Sequence, residues 1–380
     1  MPAIATTQPP RTCSRRRFLG GLAAATAGTQ AATSPAAEPA AGEIVSFFVI
    51  GDTHFLADSA NPSRLDERSA AVTGRLVDQL NALVGTEIPA ASGAGVVRKP
   101  FGVLHAGDII DTGDKTGVLQ SEMQRTETAA FERLLGLTGR DGGLDFPIYE
   151  VHGNHDGPAG KGVAIDRIID RNKTRPGVRH VSANGLHYSW DVGDVHFVNL
   201  GIVVGSVSGI HRRRRYAPLE SLDFLVQDLE THVGRSGRPV FITHHVDIAR
   251  YTKPVPDDAP FASQEWDPAD VGGFHRALAG YTIAGIFYGH THARAIWRWD
   301  GSSCQPAAER VPAERAEAPS APVFDVFNVD NSSHFAGGQQ AIFYAEHGPA
   351  GLILREYTTA DAWQTGRWSP IAWHRLPQRT

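Results

Sequence analysis

Short apolar segments alternate with segments of helical periodicity along most of the chain. Five apolar runs have the length of a buried strand, and each ends in a cluster of Asp, Asn or His. They are residues 43–52, 100–108, 146–156, 238–246 and 281–293. Residues 63–85 place apolar side chains near every third or fourth position, which predicts a helix with Ser63 as its N-cap. This alternation predicts an α/β fold.

Other segments extend the pattern. Residues 126–137 and 218–233 have helical periodicity, and residues 185–201 predict a β-hairpin that turns at 192–194. Strands return near the C-terminus, at residues 322–335 and 340–348. The Ala/Pro/Glu-rich stretch 302–322 predicts a flexible insertion before them.

The polar ends of the five apolar runs form five short motifs. In open α/β folds the carboxyl ends of the strands are where ligands bind, so these motifs can meet at one place. The motifs are GDTH (51–54), GDIID (107–111), GNHD (153–156), THH (243–245) and GHTH (289–292). The glycines that begin four of them let the backbone turn sharply and approach its neighbours closely.

These motifs supply a mixed set of oxygen and nitrogen ligands. Such a set suits divalent Zn, Mn or Fe better than calcium. It also exceeds what one ion needs, and two ions sharing a bridging carboxylate, about 3.5–4 Å apart, would use all of it. The candidate ligands are Asp52, His54, Asp108, Asn154, His244, His245, His290 and His292.

Each motif alone is weak, because Asn, Asp and Gly are also common in turns. The five in this order, each after an apolar strand, resemble the calcineurin-like metallophosphoesterase superfamily from Ile44 to His292. The resemblance implies a four-layer α-β-β-α sandwich, in which two mixed sheets are flanked by helices and a dinuclear metal site lies at the strand ends. The catalytic domain would then span residues 42–380, with C-terminal strands in 323–380.

The resemblance also implies a role for each motif residue. Asp108 would bridge two divalent ions (Mn, Fe or Zn), and a hydroxide held between them would attack phosphorus. His155 would be the general acid, with Asp156 orienting its ring. The first ion would be held by Asp52, His54 and His292. The second would be held by Asn154, His290 and one histidine of the THH motif, with His244 preferred over His245.

Three departures narrow the subfamily. Asp111 stands where purple acid phosphatases have Tyr, which argues against a charge-transfer ferric site. Thr112-Gly113 follows it, where protein Ser/Thr phosphatases have Arg-Gly. The paired histidines are followed by VDIAR rather than by the prolines that are usual in related phosphodiesterases.

Composition and charge limit the function. The chain has 380 residues, of which 41% are hydrophobic, and a formal net charge of −5, which argues against stable nucleic-acid binding. The leading interpretation is a hydrolase of phosphodiesters or small phosphomonoesters. The alternatives are a nuclease of the same superfamily and a non-catalytic scaffold that binds another protein.

The N-terminal stretch has the features of an export signal. Arg15, Arg16 and Arg17 precede Phe18 and a short run rich in Ala, Gly and Leu, which resembles a twin-arginine signal. Residues 1–41 are therefore predicted to be a signal and linker read by the twin-arginine machinery, with the mature protein periplasmic or secreted. Their removal leaves a net charge of −8 and a single cysteine, Cys304. The apolar run is too short to span a membrane.

Three further stretches each have two interpretations. Residues 211–218 contain four arginines and form either a rim that attracts anions or a solvated loop. The Pro-rich residues 249–270 are either a lid or a surface excursion. Residues 328–335 lie either near the metals or in a turn capped by Asx hydrogen bonds.

Overall fold

The computed structural model describes residues 43–206, 212–250, 255–256, 258–261, 264–307 and 322–375. The predicted signal, residues 1–41, and most of the predicted insertion lie outside these ranges. The described helices are α1 (Glu67–Leu83), α2 (Val118–Leu135), α3 (Val163–Thr174), α4 (Ser221–Asp228) and α5 (Pro268–Leu278). A π-helical turn, Leu229–Val233, continues α4, and 3₁₀ turns lie at Ala90–Ser92 and Ile248–Arg250.

Eighteen strands accompany these helices in the described ranges. They are β1 (Val45–Ile50), β2 (Ala57–Asp58), β3 (Asn61–Leu65), β4 (Glu87–Ile88), β5 (Gly95–Val96), β6 (Val103–His105), β7 (Ile148–Glu150), β8 (Val178–Val181), β9 (Tyr188–Val192), β10 (Val195–Asn199), β11 (Pro239–Thr243), β12 (Thr282–Tyr288), β13 (Ala295–Trp299), β14 (Cys304–Pro306), β15 (Phe324–Asn328), β16 (Gln340–Gly348), β17 (Gly351–Thr359) and β18 (Arg367–Arg375).

Two mixed sheets form the centre of the fold. One has six strands in the order β18-β17-β16-β1-β6-β7, and the other has eight in the order β14-β13-β15-β12-β11-β10-β9-β8. β1, β6 and β7 run parallel in the first sheet, as β10, β11, β12 and β15 do in the second. Two small ribbons, β2-β3 and β4-β5, complete the strand pairing.

The side chains of β1 show how the layers stack. Successive residues of a strand point to opposite faces. Val45, Phe47 and Val49 belong to the core between the sheets, whereas Phe48 and Ile50 pack against the helix side. The Phe47 ring lies 5.2 Å from that of Phe241 in the second sheet, centroid to centroid. Both faces of the sheet are thus covered, as the unbroken apolar run predicts.

The helices cover the two outer faces. Residues of α1, α2 and α3 share a core with the first sheet, and residues of α4 and α5 share a core with the second. The predicted four-layer α-β-β-α sandwich is confirmed. None of the described helices is both long enough and apolar enough to cross a bilayer.

The predicted hairpin is present in the structure, but the predicted helix N-cap is not. The hairpin is confirmed: β9 pairs antiparallel with β10, and Gly193 takes a left-handed φ of 59° in the turn. The N-cap at Ser63 is wrong, because residues 61–65 pair with β2 instead. The helix begins after Asp66, whose carboxylate accepts hydrogen bonds from the backbone N–H groups of Arg68 and Ser69.

Candidate metal centre

The loops after β1, β6, β7, β11 and β12 meet at the carboxyl edges of the two sheets. Asp108 lies at the centre, because its Oδ2 is 3.6 Å from His54 Nε2 and 3.1 Å from His245 Nε2. On one side His292 Nε2 lies 3.1 Å from His54 Nε2. On the other, Asn154 Oδ1 lies 3.1 Å from His245 Nε2.

The convergent side chains form two groups of possible ligands that share Asp108. In the first, Asp52, His54 and Asp108 each offer an atom within 4.8 Å of the other two. His292 adjoins this group, with Nε2 3.4 Å from Asp52 Oδ1. In the second, Asp108, His245 and His290 meet the same distance limit. The structure therefore brings together all the predicted ligands except His244.

Unusual backbone geometry accompanies this convergence. Five predicted ligands adopt positive φ angles, which are uncommon outside glycine and cluster at functional sites. They are Asp52, His54, Asp108, His290 and His292.

The motif glycines are required by close packing. A Cβ on Gly153 would lie 2.2 Å from Asp108 Oδ1, and one on Gly289 would lie 2.3 Å from Asp52 Oδ2. Both distances are below any real Cβ contact, so the carboxylates occupy space that only glycine leaves open.

Hydrogen bonds orient the rings toward the centre. The His54 Nδ1–H donates to Asp111 Oδ1 at 3.2 Å, and the His245 Nδ1–H donates to the Ala106 carbonyl at 2.8 Å. In each ring Nε2 is then the nitrogen that faces the cluster. Such outer contacts fix the tautomer of a metal-binding histidine.

The preference for His244 over His245 is wrong. His244 is fully buried on the opposite face of the sheet, where its ring stacks on Tyr288 at 5.6 Å and meets Trp266 edge-on at 5.4 Å. Burial lowers the pKa of His244 to about 3, so the ring stays neutral in this apolar core. Of the pair, only His245 faces Asp108.

His155 and Asp156 adjoin the centre, but their relation differs from the prediction. The backbone N–H of His155 donates to Asp108 Oδ1 at 2.8 Å, and its ring Nδ1 lies 3.1 Å from the Asp111 carbonyl. Asp156 does not orient that ring. Its buried carboxylate accepts hydrogen bonds from the backbone N–H groups of Gly153, Ile109 and Ile110, which joins the GDIID and GNHD loops.

The electrostatics favour a cation at this place. Burial alone would raise the pKa of Asp108, but His245 and His54 hold it well below its usual range. Burial would likewise lower the pKa of His245, yet the facing Asp108 raises it to about 9. Asp52 is a second fully buried carboxylate beside them. Two buried carboxylates with imidazole and amide donors fit divalent Zn, Mn or Fe.

Sequence reasoning left two residues outside the ligand set that lie beside it. Glu265 Oε1 lies 3.2 Å from His290 Nε2, so Nδ1 is the ring nitrogen of His290 that remains available to a metal ion. The His334 ring lies 4.6 Å from His54 and 4.8 Å from His292, centroid to centroid. In the sequence, the polar run 328–335 after an apolar strand indicated that His334 could lie near the site. Glu265 stands alone in the sequence, and no pattern indicated it.

The arginine-rich stretch is explained by ion pairs. Arg212 is buried against Asp267, and Arg214 is half-buried against Asp270, at the start of α5. These two arginines attach the segment to α5, and their charge is balanced there. Arg213 and Arg215 are exposed to solvent. Of the predicted lid, residues 249–250, 255–256, 258–261 and 264–270 are described, and these include the start of α5.

The chain is similar to proteins of a known family. A family model described as calcineurin-like phosphoesterase matches residues 45–294. A search of curated proteins found no match. Among solved structures, the chain is similar to the purple acid phosphatase PPD1 from yellow lupin (Lupinus luteus) seeds, with 12% identity and a TM-score of 0.44. That match covers 86% of this chain and 53% of the lupin chain, so the chain spans about half the length of that relative.

Two bacterial structures also match. A metallophosphoesterase from Sphaerobacter thermophilus is 13% identical with a TM-score of 0.29, and the calcineurin-like phosphoesterase YfkN from Bacillus subtilis is 14% identical with a TM-score of 0.30. Each match covers 88% of this chain and 90% of the other.

Proposed function

The chain belongs to the calcineurin-like phosphoesterase family, and from this premise we propose that it hydrolyses small phosphodiesters or phosphomonoesters with two divalent metal ions. Membership supports a metal-dependent hydrolase of phosphoester bonds. The proposal adds the number of ions, the ligands and the substrate class. One observation carries it: loops from both sheets place imidazole and carboxylate donors on either side of the single carboxylate of Asp108.

The ligand assignment follows from which groups are adjacent. Asp52, His54 and His292 are proposed to hold one ion, and Asn154, His245 and His290 the other, with Asp108 between them. When bound, the pair of cations would supply Lewis acidity and activate water near neutral pH.

His155 is proposed as the proton donor to the leaving alkoxide. Its ring lies 4.8 Å from that of His54, centroid to centroid, so it borders the reacting centre. Burial would lower the pKa of His155, but Asp108, the Asp111 carbonyl and Asp114 raise it. The ring is therefore held more readily in its protonated form, as a general acid requires.

A cavity of about 520 Å³ beside His292 is the proposed site for the alcohol part of the substrate. Its lining includes Arg294, Asp330, Asn331 and His334. His334 Nδ1 accepts a hydrogen bond from the backbone of Ala336 at 3.1 Å, so the neutral ring carries its proton on Nε2. The polar lining favours a hydrophilic alcohol, and the volume favours a small one.

The test combines metal analysis with two chromogenic esters. The protein should hydrolyse bis-p-nitrophenyl phosphate or p-nitrophenyl phosphate with Mn or Zn added and lose this activity with a chelator. Asp108→Asn should lose bound metal as well as activity, whereas the control Asp78→Asn, an exposed position on α1, should keep both. Two full equivalents of metal in Asp108→Asn would contradict the bridging role, and inactivity of the metal-loaded wild type would favour a non-catalytic scaffold.

Export is a separate part of the proposal. Residues 1–41 are proposed to direct the folded protein through the twin-arginine machinery to the periplasm or beyond, on the basis of the Arg15–Arg17 run and the following apolar segment. A fusion of residues 1–41 to a reporter should be exported, and the fusion with Arg15, Arg16 and Arg17 replaced by Lys should not. Equal export of both fusions would refute this part.

A further inference from the structure

A second group of histidines lies apart from the five motifs, where edge strand β8 meets the end of α4. His180 is on β8, Asp228 is the last residue of α4, and His232 is four residues further on in the π-helical turn. Positions i and i+4 lie on one face of a helix, so Asp228 and His232 face the same way. π-helical turns of this kind are frequent at functional sites.

Both histidines approach one carboxylate oxygen. His180 Nδ1 lies 3.0 Å and His232 Nε2 lies 3.9 Å from Asp228 Oδ1. Each of the three residues offers a ligand atom within 4.8 Å of the other two. Ligands of a tetrahedral zinc ion, with bonds of about 2.0–2.1 Å, are about 3.3 Å apart. The two distances bracket that separation, so small side-chain rotations would bring the three atoms onto one ion.

In the described part of the chain, imidazoles rather than arginine or lysine side chains surround Asp228. Its carboxylate is fully buried, and its ion-pair partners among the described residues are all histidines. The other oxygen, Oδ2, accepts a hydrogen bond from His196 Nε2 at 2.7 Å, and His196 Nδ1 lies 2.7 Å from Asp191 Oδ1. Burial would lower the pKa of His196, but Asp191 and Asp228 raise it, so this ring balances part of the charge on Asp228. The neighbouring Asp191 differs, because it pairs with Arg179 and Arg238 in addition to His196.

The surroundings match those of a metal site. Ser189 Oγ donates a hydrogen bond to Asp228 Oδ1 at 2.6 Å, and His196 Nε2 bonds to Oδ2. These two contacts fix the orientation of the carboxylate. The His180 ring is stacked on Phe224 at 4.7 Å, which fixes that ligand too. The side chains of His180 and His232 are 26% and 28% exposed, so an ion can reach them from solvent.

We propose that His180, Asp228 and His232 bind one zinc ion that is separate from the dinuclear centre. Two imidazoles and one carboxylate are a common zinc ligand set, with the fourth position left to water. Because β8 is the edge strand of its sheet in the described part of the chain, beside β9, the ion would link this strand to the helical layer.

The first experiment counts zinc on the full chain by equilibrium dialysis and elemental analysis. The double variant His180→Gln/His232→Gln should bind one equivalent fewer than the wild type and keep its phosphoesterase activity. The control is His275→Gln, which changes a half-buried histidine in the last turn of α5 and should bind as much zinc as the wild type. Equal binding by the wild type and the double variant would overturn the proposal.

The second experiment needs no variant and so remains decisive if the double variant fails to fold. Zinc should protect His180 and His232 of the wild-type chain from carbethoxylation by diethyl pyrocarbonate, mapped by peptide mass spectrometry, while His275 reacts equally with and without zinc. Reaction of His180 and His232 at unchanged rates in the presence of zinc would show that no ion binds there.

Discussion

Replacing Gly153 by Ala should disable the metal centre through a single methyl group. The added Cβ would lie 2.2 Å from Asp108 Oδ1 and 2.3 Å from the Asp108 backbone N, whereas ordinary Cβ contacts begin near 3.4 Å. Either the carboxylate or the GNHD loop must therefore shift by about 1.2 Å. Gly153 does not have a left-handed φ, so alanine adds no backbone strain there.

The size of the effect follows from what Asp108 contacts. Its other oxygen faces His54 and His245, so a displaced carboxylate loses its place between the two ligand groups. A misplacement of about 1 Å at a reacting centre costs roughly 10²-fold in rate. That is about 2.7 kcal/mol of transition-state stabilisation. We expect kcat/KM to fall at least this far and metal affinity to fall with it.

The assay compares kcat/KM on bis-p-nitrophenyl phosphate, metal content and thermal unfolding. The matched control is Gly74→Ala, inside α1, where a Cβ would meet nothing within 4 Å. That variant should keep full activity and gain up to roughly 1 kcal/mol of stability, because alanine is the better helix former. Gly153→Ala with full metal content and kcat/KM within about twofold of the wild type would refute the reasoning.

Three further predictions test the site and its support. His155→Gln should keep its metal but lose about 10²–10⁴-fold in turnover on esters with poor leaving groups. The loss should be much smaller on p-nitrophenyl esters, whose leaving group needs no proton. Equal losses on both kinds of ester would contradict the role of His155 as a general acid. His245→Ala should lose metal, whereas His244→Ala should retain it. His244→Ala should instead lose roughly 3 kcal/mol of stability in denaturant unfolding, because it leaves a cavity beside Tyr288 and Trp266. Loss of metal from His244→Ala but not from His245→Ala would restore His244 as the ligand. Glu150→Gln should destabilise the fold by about 3–5 kcal/mol at pH 7, because it leaves buried Arg171 and Arg175 unpaired. Burial alone would raise the pKa of Glu150, but the two arginines lower it to about 2, so its contribution is complete above the ordinary value of 4.5 and is lost as the pH falls toward 2. Urea unfolding should show a smaller difference in unfolding free energy between the wild type and Glu150→Gln at pH 3 than at pH 7. An equal difference at both pH values would contradict the lowered pKa of Glu150.

The sequence predicted the site because of a property of parallel strands. β1, β6 and β7 run parallel, as do β11 and β12, so polar residues that follow each apolar run fall at one edge of each sheet. The strands are buried on both faces, which makes the apolar runs continuous and easy to recognise. The motifs alone did not predict that the two sheets pack against each other. That prediction came from the family resemblance.

The choice between His244 and His245 shows where a local pattern is insufficient. Val240 and Ile242 of β11 pack against the outer helices, whereas Phe241 packs between the sheets. With a period of two, His244 continues the outer face and His245 the inner one. The alternation was visible in the sequence, but which face looks inward depends on how the two sheets pack.

Elements with weak apolar patterns were the other source of error. α5 was missed although Asp267 as N-cap and Pro268 at the first helical position are standard start signals, because the preceding Pro-rich residues predicted a loop. Its position is set by long-range ion pairs from Arg212 and Arg214 to Asp267 and Asp270, which no local pattern contains. Glu265 reaches His290 only because this segment is held there.

The positive φ angles of the ligand loops indicate that the protein itself, through contacts between motifs, sets the geometry of the centre. The Asp52 N–H donates to the Gly107 carbonyl at 2.9 Å and the His54 N–H to the Asp108 carbonyl at 3.1 Å, so the first two motifs hold each other. The His290 N–H donates to the Asp52 carboxylate at 2.9 Å, which ties the second sheet to the first. Backbone conformations of this kind persist only where surrounding contacts enforce them. A site fixed in this way presents its ligands before an ion arrives, so metal binding need not be linked to folding of the loops.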